Sequence, residues 1–110
     1  MLASEFVTKL GAKILTGEFD NNIEIRGIYC CDLLSWVMSH APKGSAWVTV
    51  HTHLNIVAVA SIAEISCIIV PEGIQVDEAT INRAVEENVI IISSELSTYE
   101  ICSIAHDCGI

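Results

Sequence analysis

Basic residues are scarce in this chain: five Lys or Arg stand against fourteen Asp or Glu, a formal net charge of −9. That balance repels phosphate backbones and anionic lipid heads, which argues against nucleic-acid and membrane-surface binding. Long apolar runs are missing as well. None reaches the ~18 to 20 residues that a membrane span needs. The opening MLASEFVTKLGAK carries Glu5 inside its amphipathic pattern and lacks a basic-then-apolar signal layout, so a cytoplasmic protein is expected. Cys30, Cys31, Cys67, Cys102 and Cys108 contain no CxxC pair. Without ligand spacing they fit reduced thiols packed as small hydrophobes better than a metal or cluster site. No metal and no cofactor is expected. A GxGxxG run, a Walker loop, a nucleophile motif, an internal repeat and a low-complexity tract are absent too, and no residue is assigned a catalytic role.

What the chain has in excess is apolar side chains: 52% of its 110 residues are hydrophobic and only 17% charged, against usual shares of ~45 to 50% and ~25%. A chain of this length forms one domain, residues 1–110. The apolar excess calls for a sheet covered on both faces or for an oligomer interface. A homodimer is expected, because Trp36, Trp47 and Tyr29 are large side chains for so small a core and aromatic residues favour interface centres.

The stretch from Ser45 to Gly73, SAWVTVHTHLNIVAVASIAEISCIIVPEG, organises the rest. Residues 45–50 carry Trp47, Val48, Thr49 and Val50 between Gly44 and a polar cluster, the marks of a short strand. From Leu54 to Ala63 apolar residues fall at three- and four-residue spacings, which predicts a helix. Cys67 to Val70 is a fully apolar strand stopped by Pro71 and Gly73. Strand, helix and strand make a βαβ unit with parallel strands and a right-handed crossover.

Around this unit, Phe6, Val7 and Leu10 share one helical face, with Ser4 as the expected cap and Gly11 as the stop. A short strand over 13–15 and a polar loop over 17–22 follow. Alternation predicts a strand over 23–30. Asp32 stands ahead of Leu33, Leu34, Trp36 and Val37, where it reads as the cap of a helix or as a catalytic acid. Asp77 is the expected cap of a helix ended by Asn88, Val89 to Ile92 the third apolar strand, and Ser97-Thr98-Tyr99-Glu100 a capping box that opens the last helix. The fold class is therefore α/β: a single three-layer domain with a mostly parallel central sheet built from βαβ units.

In open α/β sheets ligands sit outside the carboxyl ends of the strands. Three loops are expected there, His51 to Asn55, Pro71 to Gly73 and Ser93 to Ser97. They place His51, Thr52, His53 and Asn55, with Glu72, Gly73 and Ser94 nearby, as the candidate contact for a small anionic ligand or a partner protein. The helix beginning near Leu54 would add amide donors and a partial positive charge. His51 and His53 flank Thr52 and would point the same way if the strand continued.

Three runs, Gly27-Ile-Tyr-Cys-Cys-Asp-Leu-Leu-Ser-Trp-Val-Met, Ala46-Trp-Val-Thr-Val-His-Thr-His-Leu-Asn-Ile-Val-Ala-Val-Ala and Cys67-Ile-Ile-Val-Pro-Glu-Gly, resemble a DRTGG domain over nearly the whole chain. The resemblance is strongest to small stand-alone members that occur beside iron-only hydrogenase genes. Longer relatives carry the domain as an accessory part, in phosphotransacetylases and between CBS domains of some pyrophosphatases. The family's Asp-Arg pair aligns with Thr52-His53 and its Thr-Gly-Gly with Pro71-Glu72-Gly73, so of these only Gly73 is shared. The resemblance implies an accessory regulatory or assembly module without catalysis of its own, associated with a hydrogenase system. The alternative is a metal- or iron-sulfur-binding redox protein of such a system that uses Cys30, Cys31, His51 and His53.

Overall fold

A computed structural model describes residues 1–20 and 22–110, so Asn21, in the polar loop expected over 17–22, lies outside the described residues. Among the described residues five strands form one sheet: β1 (Lys13–Ile14), β2 (Gly27–Cys30), β3 (Ser45–Val48), β4 (Cys67–Val70) and β5 (Ile91–Ser93), in the order β1-β5-β4-β3-β2. The strands from β2 to β5 are mutually parallel, and β1 runs antiparallel on the outer side of β5. Among the described residues there are five helices: α1 (Ala3–Leu10), α2 (Leu34–His40), α3 (Asn55–Ile62), α4 (Glu78–Glu86) and α5 (Thr98–Asp107).

The three central strands are buried on both faces, and their period-2 alternation sorts the core into two halves. Ala46, Val48, Cys67, Ile69 and Ile92 meet Phe6 and Leu10 of α1 and Ile101 and Ala105 of α5. Trp47, Ile68, Val70 and Ile91 point the other way, against Val37 of α2, Ile56, Val57 and Ala60 of α3 and Ala84 of α4. Strands β2 to β5 follow one another across the sheet in one direction, so three crossovers of one hand must put α2, α3 and α4 on the same face. The other face is left to α1 and α5. The result is the three-layer arrangement expected from the sequence, with the helix over 54–63 and all three apolar strands in place.

Several local expectations are corrected. Ser4 lies inside α1 and does not cap it, since Leu2 holds that position with no side-chain hydrogen bond. The strand expected over 23–30 is regular only from Gly27. Residues 23–25 pair instead with the amino terminus, through Ala3 N donating to Ile23 O (2.8 Å) and Ile25 N donating to Met1 O (2.7 Å). Asp77 occupies the first cap position of α4 without a side-chain bond. Trp47, expected to need an interface, is fully buried, and its Nε1 donates to Cys31 O at 2.8 Å. The capping box is present as read: Ser97 Oγ accepts from Glu100 N (3.2 Å) and Ser97 N donates to Glu100 Oε1 (3.1 Å). Gly11 and Asn88 close their helices in the left-handed region, with φ of 60° and 58°.

Cys67 is the one fully enclosed cysteine, and burial pushes its thiol from an ordinary 9.0 up to about 12. In the unfolded chain that thiol loses its proton from the lower value upward, while the folded state holds it. Its contribution to stability is intact below about pH 9 and is lost toward pH 12, at ~1.4 kcal/mol per pH unit. Denaturant midpoints measured between about pH 9 and 11 are expected to fall more steeply for the wild type than for Cys67→Ala. Parallel slopes would show that Cys67 does not hold its proton.

Candidate functional site

The carboxyl edge of the sheet is built around Asp32, in the connection from β2 to α2. Its Oδ1 accepts from Thr49 Oγ1 at 2.8 Å and from Val50 N at 3.0 Å, tying that connection to the exit of β3. Asp32 neither caps α2, where Leu33 takes the position without a side-chain bond, nor stands free as an acid. Thr49 is buried, and its hydroxyl also accepts from His51 N at 3.3 Å. His51 Nε2 pairs with the Asp32 carbonyl. Thr49 N still donates to Ile69 O of β4 at 3.1 Å, and it is at Val50 that the Asp32 side chain takes over the backbone donor.

The two histidines part at this point. His51 is half-buried against Asp32, whereas His53 is exposed and its Nδ1 accepts from Asn55 N at 3.4 Å. The common direction expected of them required a strand that does not continue. Thr52 is held through its carbonyl, which accepts from the buried Thr80 Oγ1 of α4 at 2.7 Å. α3 opens at Leu54 with no side-chain cap. Its first amides are partly spent at once, Ile56 N on His53 O and Val57 N on Leu54 O, each at 3.1 Å.

Glu72, Gly73 and Ser94 are brought together at the exits of β4 and β5. Here the connections diverge: the chain leaving β4 goes to α4 on one face, and the chain leaving β5 goes to α5 on the other. Such a divergence is where an open α/β sheet forms a crevice. In this chain backbone bonds close it. Glu72 N donates to Leu96 O and Gly73 N to Ser94 O, both at 2.8 Å, while Ser94 N donates to Val70 O at 3.0 Å. Ser94 is buried, with its Oγ accepting from Leu96 N. Glu72 and Gly73 both take positive φ, 60° and 64°. A Cβ at Gly73 would meet the Glu95 carboxylate, the movable end of an exposed side chain, so it is the positive φ that favours glycine there.

Neither Asp32 as a cross-strand anchor nor Glu95 as the cover of Gly73 was expected from the sequence. Each depends on a partner outside its own segment. The clefts found among the described residues lie away from this edge. One of about 370 Å³ is lined by Thr16, Phe19, Asp20, Val85 and Asn88, and another of about 400 Å³ by Arg26, Lys43, Glu64 and Ser66 near the amino ends of the strands. Among the described residues no group of three or more His, Cys, Asp or Glu side chains is placed to hold a metal ion, and no helix is long and apolar enough to cross a membrane.

The Asp32 corner has a measurable consequence. Asp32→Ala is expected to cost about 1 to 2 kcal/mol, because it strips an acceptor from a buried hydroxyl and from Val50 N. In a double-mutant cycle with Thr49→Val, the pair should cost clearly less than the sum of the singles. Additive costs would mean that the two side chains act independently.

A search of the curated proteins finds no match. Among solved structures the chain is similar to the crystal structure of the CBS and DRTGG domains of the regulatory region of Clostridium perfringens pyrophosphatase, complexed with activator, diadenosine tetraphosphate. The TM-score is 0.77 at 13% identity, over 94% of this chain and 45% of that one. At that identity the likeness shows the fold, and the chain spans less than half of its counterpart. The DRTGG domain model itself matches residues 5–108, and with nearly the whole chain inside that match, this protein belongs to the DRTGG domain family.

Proposed function

We propose that this chain is a regulatory module without catalysis of its own, which takes a small anionic or nucleotide ligand at its carboxyl edge. The contact centres on His51, Thr52, His53 and Asn55, with Glu72, Gly73 and Ser94 beside them. The observation that carries the reading is the shared fold with a regulatory region whose crystals hold an anionic dinucleotide activator. The exposed polar side chains of His53 and Asn55 at the start of α3 support the placement. Glu72 and Glu95 lie in the adjacent loops and would oppose a bare anion, which favours a ligand that arrives with its divalent counter-ion. The test is a titration of adenine nucleotides, inorganic phosphate and acetyl phosphate, each with and without magnesium, followed through the histidine ring NMR signals. His51 and His53 signals should move at millimolar ligand or below, and His53→Ala should weaken binding about five- to tenfold. Unmoved histidine signals across the series would refute the site.

The proposal includes a homodimer. A second copy set against this edge would enclose a ligand seated on its loops. Leu33 and Trp36 are 61% and 50% exposed, and Val50 and Leu54 are exposed at the same edge, which supports an apolar contact between copies. Light scattering at micromolar concentration should give twice the chain mass, and Trp36→Glu should return it to one without loss of helical signal. A wild-type monomer would count against the dimer. The hydrogenase association belongs to the same proposal, as a protein partner at this edge, and co-purification from a hydrogenase-bearing host weakened by His53→Ala is the corresponding outcome.

A further inference from the structure

Two cysteines far apart in sequence meet at the flank of the sheet. Cys30, the last residue of β2, has its Sγ 3.2 Å from Sγ of Cys102 on α5, 72 positions further along the chain. A disulfide bond is ~2.05 Å long, so the sulfurs need to close by only about 1.1 Å. The alternation of β2 decides which cysteine of the adjacent pair takes part. Ile28 and Cys30 face α5, while Tyr29 and Cys31 face the opposite core half, where Cys31 Sγ contacts Leu33 O. Both elements are peripheral. β2 is an edge strand with one neighbour, and α5 packs through Ile101 and Ala105, which leaves Cys102 on its half-buried flank. Cys30 is exposed and Cys102 half-buried, so a small reagent reaches the pair.

We propose that Cys30 and Cys102 form a redox-active dithiol that closes to an intramolecular disulfide by exchange with a low-molecular-mass disulfide such as glutathione disulfide. The assignment does not rest on the ligand reading above. The chemistry has two steps. One thiol of the pair gives up its proton and attacks one sulfur of the reagent. The reagent's S–S bond breaks, and its other half leaves as a thiolate that takes up that proton. The second thiol then gives up its proton and attacks the protein sulfur of the mixed disulfide, which forms the Cys30–Cys102 bond and expels the second half as a thiol. Two protein thiols are oxidised and one reagent disulfide is reduced to two thiols, so electrons and protons balance.

Burial, then the hydrogen bond and charge of Cys102, then the charge of Asp32 push the Cys30 thiol up to about 12, as expected of two sulfurs held in contact.

The test exposes the fully reduced chain to glutathione disulfide under anaerobic conditions, followed by alkylation and peptide mass spectrometry. Of the five thiols two should vanish, with one cross-linked peptide joining Cys30 to Cys102, and the melting temperature should rise by ~5 °C or more because a long loop is closed. Cys31→Ser should still cross-link, whereas Cys30→Ser should stop at a single glutathione adduct on Cys102. Five free thiols at the end, or a cross-link through Cys31 or Cys108, would overturn the assignment.

Discussion

Everything in this fold depends on β3, β4 and β5 being buried on both faces. A parallel sheet leaves no wet side, so each strand must place apolar residues up and down alternately. The runs Ala46-Trp47-Val48, Cys67-Ile68-Ile69-Val70 and Ile90-Ile91-Ile92 do so without a charged residue. The handedness of the crossovers then fixes the layers. Strands added in one direction place α2, α3 and α4 together, and α5 must cross to the other face to cover what α1 alone leaves bare. The buried Trp47 belongs to this constraint, because its indole N–H inside the core needs an acceptor and finds it in the Cys31 carbonyl.

That crossing of α5 creates the divergence between the exits of β4 and β5, and the local sequence determines what becomes of it. A crevice needs loops that fold back from each other. Here Pro71 to Gly73 and Ser94 to Leu96 exchange backbone hydrogen bonds, and the Glu95 carboxylate lies over Gly73. The polar histidine loop sits one strand further along, pinned by Asp32. The carboxyl edge thus presents a ridge of loops, and a ligand or partner would meet it as a surface.

Much of the architecture was legible because it rests on local rules. The CIIV run, the helical spacing from Leu54 and the Ser97–Glu100 box each carry their signal within a few residues. The failures share one cause. Asp32 before an apolar run looks like a cap, yet its carboxylate is recruited by Thr49 and Val50, 17 and 18 residues away. The alternation over 23–30 is real, but its first half serves the amino-terminal segment and not the main sheet. His51 and His53 look like a pair only while the strand is assumed to continue. Their separation follows from His51 turning to the Asp32 carbonyl while His53 meets Asn55 N, and the first of these partners lies outside the loop.

The Asp32 corner also brings the two halves of the molecule's chemistry close in sequence. Cys30 faces α5, Cys31 supplies the carbonyl that holds Trp47, and Asp32 holds the histidine loop. Three consecutive residues at the end of an edge strand thus contact three separate parts of the structure. An edge strand has one ladder of hydrogen bonds where an inner strand has two, so it is the strand whose end yields most readily to a new constraint. A covalent tie from Cys30 to Cys102 would pull on the residue two places before Asp32. The bonds from Asp32 to Thr49 and Val50, and from Thr49 to His51 N, join the exit of β2 to the loop that carries His51.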